Sequence, residues 1–335
     1  MGSIRIALLG AGMAGLSLLE ALSLKEGFKG LWHEKVGGYR VQDLEVAAVY
    51  DVDASKVGKP LKELSKSLEG LEGEVRPGLH LDEPLPGLTL AENLRSSEDL
   101  ADEWRNLRVD VAVNLITSGG FRSSEAYAEA ALKAGVCFLN ATPTRIASTP
   151  TMDEAFKRKK LTLAGDDLMS QLGGTALHRG LIRFLSRRGL KIVKSYELDV
   201  GGGLDTLATL KSEVKEAKRS LIGEALKAEL AHAFPSIAGT IDYVGFLGGR
   251  RVSYIYVEGE GALGSQFKLD LTLQSLDPPN AVNILLDVVR ALKAARDKGE
   301  YGALPEVCAY GFKAPPKPMR LEEAEEAFTK RYVEA

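Results

Sequence analysis

Cysteine is scarce: Cys137 and Cys308 are the only two in 335 residues. Two thiols cannot form a disulfide framework, and no Cys-x-x-Cys or Cys/His cluster offers a zinc site. The expectation is a pair of buried thiols in a reducing cytoplasm. Neither sign of charge dominates, with 43 Lys and Arg against 46 Asp and Glu and a net charge of −3. That excludes a broad electrostatic surface for nucleic acid or anionic membrane. No apolar stretch is long enough to span a bilayer. The run IALLGAGMAGLSLL after Arg5 is broken by glycines and meets Glu20, so it is not read as a leader. His33, His80, His178 and His232 make no metal or triad spacing and are read as structural. No internal repeat or low-complexity tract occurs.

What is present is an alternation of strands and helices. Ile4–Leu9 reads as a buried parallel strand, Met13–Leu24 as a helix, Lys25–Gln42 as a loop and Leu44–Tyr50 as a second strand. Short helices are expected near Pro60–Leu68 and Ser97–Arg105. The rhythm resumes with strands at Val109–Ile116, Val136–Ala141 and Leu161–Gly165, and helices at Ser123–Gly135 and Met152–Lys160. Such alternation predicts an α/β fold with a doubly wound parallel sheet. After about Tyr196 the texture changes. Gly201–Gly203 breaks the chain, Lys211–Ala233 reads as a lysine-rich helix, and Arg251–Asp277 alternates as antiparallel strands with one wet face. A long helix at Ala281–Lys298 and a charged surface helix in Leu321–Ala335 follow. A chain of this length is expected to split into two domains.

GAGMAG supplies a full Gly-x-Gly-x-x-Gly at Gly10, Gly12 and Gly15, between a strand and a helix. Gly10 permits the tight turn, Gly12 lets backbone approach a pyrophosphate at the helix N-terminus, and Gly15 lets helix and strand pack closely. The context points to a Rossmann-type NAD site that also uses Met13 and Ala14. Asp51, closing the second strand, is the expected acceptor for the adenine-ribose hydroxyls, with Asp53 its neighbouring rival. Asp51 follows the motif by more than the usual ~20 residues, and the Lys25–Gln42 loop accounts for the excess.

Several further stretches carry a resemblance: GLWHEKVGGYRVQDLEVAAVYDVDASKVG (Gly30–Gly58), VNLITSGG, FLNATPTRIAS, AGDDLMSQLGGTALHR, LDVGGGLD, DYVGFL and DPPNAVNILLDVVRALKAARDKG. In this order, over nearly the whole chain, the sequence resembles the myo-inositol-1-phosphate synthases of the archaeal and bacterial type. The resemblance implies a Rossmann domain (1–195 with 278–335) carrying an inserted α+β catalytic and tetramerisation domain (196–277). It implies a cytoplasmic homo-tetramer in inositol and phospholipid biosynthesis. It also implies conversion of glucose 6-phosphate to inositol 1-phosphate, also numbered 3-phosphate. That isomerisation runs by internal oxidation, aldol cyclisation and reduction on bound NAD, with the divalent metal ion left open.

Carried over residue by residue, the resemblance assigns catalysis to Lys218, Lys293, Asp205, Asp167 and Arg251. It assigns substrate binding to Ser170, Gln171 and Lys215. It adds Asn114, Ser118, Thr142, Asp167 and Asp277 to the cofactor set, Asp277 being also an N-cap candidate. The sequence departs from the family at Met169 and Ile222, where the family has lysines, and at Arg251, where it has another. Two alternatives stay open beside the synthase: an NAD-linked oxidoreductase acting on a different phosphorylated sugar without cyclisation, and a non-catalytic NAD-binding paralogue.

Overall fold

The computed structural model describes residues 2–24 and 28–334. Its elements in chain order begin with β1 (Ile4–Leu9), α1 (Met13–Ser23), β2 (Lys35–Val36), β3 (Tyr39–Arg40), β4 (Leu44–Asp51), α2 (Leu61–Leu64), β5 (Val75–Pro77) and α3 (Ser97–Asn106). Then come β6 (Val111–Asn114), α4 (Phe121–Ala134), β7 (Cys137–Asn140), α5 (Pro150–Arg158), β8 (Thr162–Ala164), α6 (Gly174–Arg187) and β9 (Lys191–Gly201). The rest are α7 (Leu204–Ala208), α8 (Ser212–Lys227), β10 (Ser236–Tyr243), β11 (Arg250–Glu260), β12 (Gln266–Leu276), α9 (Asp277–Asp297), β13 (Gly302–Ala303), α10 (Pro305–Gly311) and α11 (Leu321–Phe328).

Seven strands form one parallel sheet in the order β13-β8-β7-β6-β1-β4-β5. This is the doubly wound Rossmann order with one strand added at an edge. Its central strands are apolar along their whole length because both faces are covered: Ile6, Ala7, Leu8, Val111, Ala112 and Val113 are all sealed from solvent. The helices carry their own stop signals. Ser96 and Asp99 cap α3 reciprocally, and Gly135 closes α4 in the left-handed region at φ 77°. Cys137 and Cys308 are free and buried in this core, and burial pushes both thiols up.

The second sheet runs β10-β9-β11-β12, with β10 parallel to β9 and the rest antiparallel. One face packs α6 and α8 around Ile182, Ile192, Ile222, Leu226, Ile255 and Val257. Ile182 and Ile192 both precede residue 196, so this core takes in α6 and the start of β9.

Helix α9 is buried almost all round and packs against α1 and the β6–β8 side of the main sheet. The expected loop before β4 is in its described part a small hairpin, β2–β3, turning through Gly37 and Gly38 at φ 59° and 86°. Helix α9 holds it down. Arg290 donates to the carbonyls of His33, Glu34 and Tyr39, while Asp287 accepts from Tyr310 and Arg290 and pairs with His33. A β-carbon on Gly37 would stand 2.1 Å from the Ala294 methyl, so only glycine allows this approach. No helix among the described residues is long and apolar enough to cross a membrane.

Candidate active site in the inter-sheet cleft

The strand order reverses beside β1, and a cavity of about 530 Å³ opens there between the main sheet and the second one. At one end stands the glycine turn. Gly10 has φ 100°, and a β-carbon on it would meet the Leu115 carbonyl oxygen at 2.8 Å. A β-carbon on Gly15 would lie 2.3 Å from the Gly10 carbonyl oxygen. Around Gly12, by contrast, nothing stands within 4 Å of that position. The turn is thus closed on the protein side and open on the cleft side, where the first N–H groups of α1 point out, beside Met13 and Ala14. This shape fits a pyrophosphate.

Asp51 closes β4 beside that turn. Its Oδ2 accepts from Ala11 N–H at 2.8 Å and from Lys56 Nζ at 3.1 Å, and its Oδ1 accepts from the N–H groups of Val52 and Asp53. The carboxylate therefore braces the glycine loop as well as facing the cleft. Asp53 also lines the cleft and is more open.

In the same cleft Lys218, on α8, gives its ammonium to Asp205 Oδ2 at 2.6 Å. Ser118 meets the other oxygen through its N–H at 3.0 Å and through its hydroxyl. Burial alone would raise the Asp205 carboxyl. The Lys218 charge and hydrogen bond overcome this, helped by Ser118 and Arg251, and hold it well below the usual carboxylate range. Arg251 on β11 is fixed between Asp277 and Asp199, the latter at 3.2 Å. Burial lowers its pKa, but those carboxylates outweigh it, so Arg251 is a permanent charge. Asp277 is not the N-cap of α9. That position is Leu276, and Asp277 sits in the first turn with its carboxylate on Arg251 and Ser275.

Asp167, Ser170, Thr142, Ser118 and Lys215 all line the same cleft. Four expected residues do not. Gly15 packs behind the turn, in the role read for it. Asn114 is fully buried beneath the cleft, where Nδ2 donates to Ser124 Oγ and Asn140 Oδ1, both at 3.1 Å. Gln171 turns away: its Oε1 accepts from Asn283 Nδ2 at 2.7 Å, and Asn283 in turn holds the backbone at Gly30 and Trp32. Lys293 points to the opposite side of α9, pairing with Asp297 and lying against Tyr39. A lysine bound there reaches no group in the cleft.

Sequence reasoning missed Lys313, in the segment after α10. Its ammonium lies 3.1 Å from Asp167 Oδ2 in the cleft. The signal was a lone lysine in Gly-Phe-Lys-Ala-Pro-Pro, a stretch too aromatic and proline-rich for an ordinary solvated lysine. Met169 and Ile222 line the cleft as apolar groups, Met169 with its sulfur 3.5 Å from Arg179 Nη1. Among the described residues no group of three His, Cys, Asp or Glu could hold a metal ion.

The sequence and the fold both have relatives. A family model described as myo-inositol-1-phosphate synthase matches residues 173–278, the stretch from α6 through the second sheet. The inositol-3-phosphate synthase of Mycolicibacterium smegmatis is 31% identical over 345 residues, which is 95% of this chain and 94% of that protein. Among solved structures, Ari2 is 28% identical with a TM-score of 0.77, covering 99% of this chain and 100% of Ari2. A myo-inositol-1-phosphate synthase-related protein from Thermotoga maritima has the same fold at 24% identity, with a TM-score of 0.85 and 98% of both chains covered.

Proposed function

From the chain's membership of the myo-inositol-1-phosphate synthase family, we propose that it is an NAD-dependent enzyme that rearranges a phosphorylated sugar, glucose 6-phosphate being the first candidate. The observation that carries this reading is the meeting, in one cleft, of the open glycine turn and the Lys218–Asp205 pair. Gly10, Gly12, Met13 and Ala14 would hold the pyrophosphate, and Asp51 with Asp53 the adenine ribose. Bound NAD would supply a hydride acceptor that later returns the hydride, so that no net oxidation results.

The chain's own residues supply the rest. Lys218, its side chain 14% exposed, carries a proton at Nζ and is aimed by Asp205. It can give that proton to the alkoxide that forms as the ring closes, the proton lost from carbon 6 restoring the balance. Lys313, anchored by Asp167, offers a second ammonium. Arg251 cannot shuttle a proton near neutral pH and acts as fixed charge for an oxyanion. Ser170 and Lys215 line the part where a phosphate would sit, and Lys215 has no ion pair among the described residues.

Incubation with NAD and glucose 6-phosphate is expected to give inositol phosphate slowly and without net NADH. Deuterium placed on carbon 5 should be retained in the product. Met169 and Ile222 favour a second reading, in which a different phosphorylated sugar is oxidised without cyclisation. Net accumulation of NADH with no cyclised product would put that reading first.

The oligomeric state is part of the same proposal. The outer face of the second sheet carries Tyr196 stacked on Tyr256 and tilted on Tyr254, at 5.0 and 5.9 Å between centroids. Ile237 and Ile241 on β10 are 60% and 45% exposed. A face this apolar needs cover, and a second copy would supply it. Light scattering should report a tetramer, and Tyr256→Arg should shift it to smaller species. A wild-type monomer at micromolar concentration would refute the assembly.

A further inference from the structure

The floor of the cleft holds a buried acid that none of the steps above uses. Glu197 on β9 is 1% exposed and yet lines the cleft. Its Oε2 lies 3.1 Å from Nδ1 of His178, on α6. The other ring nitrogen of His178, Nε2, meets Ser195 Oγ. Ser195 has one hydroxyl proton, and it goes to the Tyr256 carbonyl at 2.8 Å. Ser195 Oγ can therefore only accept from His178, which fixes the proton on Nε2. One further proton lies between Nδ1 and Glu197 Oε2, whichever atom owns it.

Burial decides the owner. It pushes the Glu197 carboxyl up, and Asp199 beside it on β9 adds to this; His178 from α6 and Lys313 from the segment after α10 oppose both. A neutral acid donating to a neutral imidazole avoids two charges in a dry site. The second oxygen, Oε1, is then left as an acceptor beside Gly174, which lines the cleft with Glu197. It lies 2.1 Å from where a β-carbon on Gly174 would stand, so only glycine leaves it room beside the Ser170–Gly174 turn. Oε1 has no hydrogen-bond partner among the described residues.

The geometry points to Glu197 as a catalytic residue of the reaction proposed above, accepting a substrate hydroxyl at Oε1 and taking its proton, with His178 as its positioning residue. The inference rests on that reading of the function. The O–H bond of the alcohol being oxidised breaks and its proton bonds to Oε1. The proton on Oε2 passes to His178 Nδ1, so Glu197 stays a neutral acid and His178 becomes an imidazolium. The electron pair left on the alcohol oxygen would close the carbonyl, bound NAD being the acceptor that would supply a place for the hydride. In the closing reduction both protons return by the same path. The proton taken up in the oxidation is thus held by the pair until the closing reduction calls for one.

Glu197→Gln tests this, because its amide N–H can donate to Nδ1 as the acid does but cannot carry a proton on. NAD affinity by calorimetry and the unfolding midpoint are expected to stay at wild-type values. With glucose 6-phosphate, kcat should fall about 100-fold with little change in KM. Unchanged kcat and pH profile in Glu197→Gln would overturn the inference. Nitrogen-15 spectra give a readout independent of turnover. In the free wild-type protein His178 should show the Nε2–H tautomer with Nδ1 accepting a hydrogen bond. A His178 protonated on Nδ1 alone also overturns the inference, whatever the substrate. A wild type with the expected tautomer but no turnover of glucose 6-phosphate would instead count against the proposed function.

Discussion

Replacing Gly12 by valine is expected to remove NAD binding while leaving the fold nearly as stable as before. Gly12 has φ −78° and ψ −173°, ordinary extended backbone that valine adopts without strain. Its side chain would enter open cleft, since no protein atom stands within 4 Å of the β-carbon position. That space is where a pyrophosphate must come to reach the first N–H groups of α1. Losing two hydrogen bonds to a charged group, each worth about 1.5–3 kcal/mol, weakens binding by on the order of 100-fold or more. Stability should change by no more than about 0.5 kcal/mol, as for other substitutions away from packed atoms. Gly15→Val should behave in the opposite manner. Its β-carbon collides with the Gly10 carbonyl oxygen, so it should destabilise the fold by about 1–3 kcal/mol or more. Calorimetry with NAD and thermal unfolding separate the two. Wild-type NAD affinity in Gly12→Val would rule out the glycine turn as the cofactor site.

Lys218→Met should cost turnover about 10²–10³-fold, the loss typical of one preorganised donor to a developing oxyanion. NAD binding should persist, because the ammonium of Lys218 is committed to Asp205 and makes no contact with the glycine turn. The sign of the linked pH effect is fixed by the pair. Asp205 is held below the ordinary carboxylate range, so its ion pair is intact above that range and is lost only as the solution becomes strongly acid. An acid limb in the neutral region therefore belongs to another group. Lys293→Met is the control. Its partner is Asp297, away from the cleft, and turnover should stay within a few-fold of wild type. If Lys293→Met proves as damaging as Lys218→Met in a folded protein, the placement of the chemistry is wrong.

Much of the main sheet was legible because parallel strands are buried on both faces and announce themselves as short apolar runs. Ile4–Leu9 and Leu44–Asp51 are found nearly to the residue. The second sheet was harder. Strand β9 alternates buried Ser195, Glu197 and Asp199 with half-buried Tyr196 and Leu198, so its inner face is polar and its outer face apolar. A pattern read as hydrophobic-in takes such a strand the wrong way round, and β9 and β10 were not recognised. Helix α6 escaped because Gly173 and Gly174 open it with no capping side chain. At the site, the motif was readable at Gly10 and Gly15 because the tight turn and the close helix–strand approach leave no room for a side chain. That Lys293 lies away from the cleft was not legible for a different reason. On a buried helix every direction is occupied by protein, and position along the chain does not say which side faces the cleft. Lys313 lies more than one hundred residues from Asp167, and only folding brings them together.

The clasp of α9 on the β2–β3 hairpin has a consequence for how the chain is made. Trp32 and His33 bind Asn283 and Asp287, partners 251 and 254 positions later. Ribosomes add about 5–20 residues per second, so roughly 10–50 seconds separate the synthesis of the two halves of this contact. During that interval α1 and the β6–β8 side of the sheet exist without the helix that packs on them, exposing apolar surface that later becomes core. The emerging polypeptide should therefore rely on chaperones until α9 leaves the exit tunnel. Stalled chains ending before Asp277 should aggregate rather than accumulate as a small soluble nucleotide-binding domain.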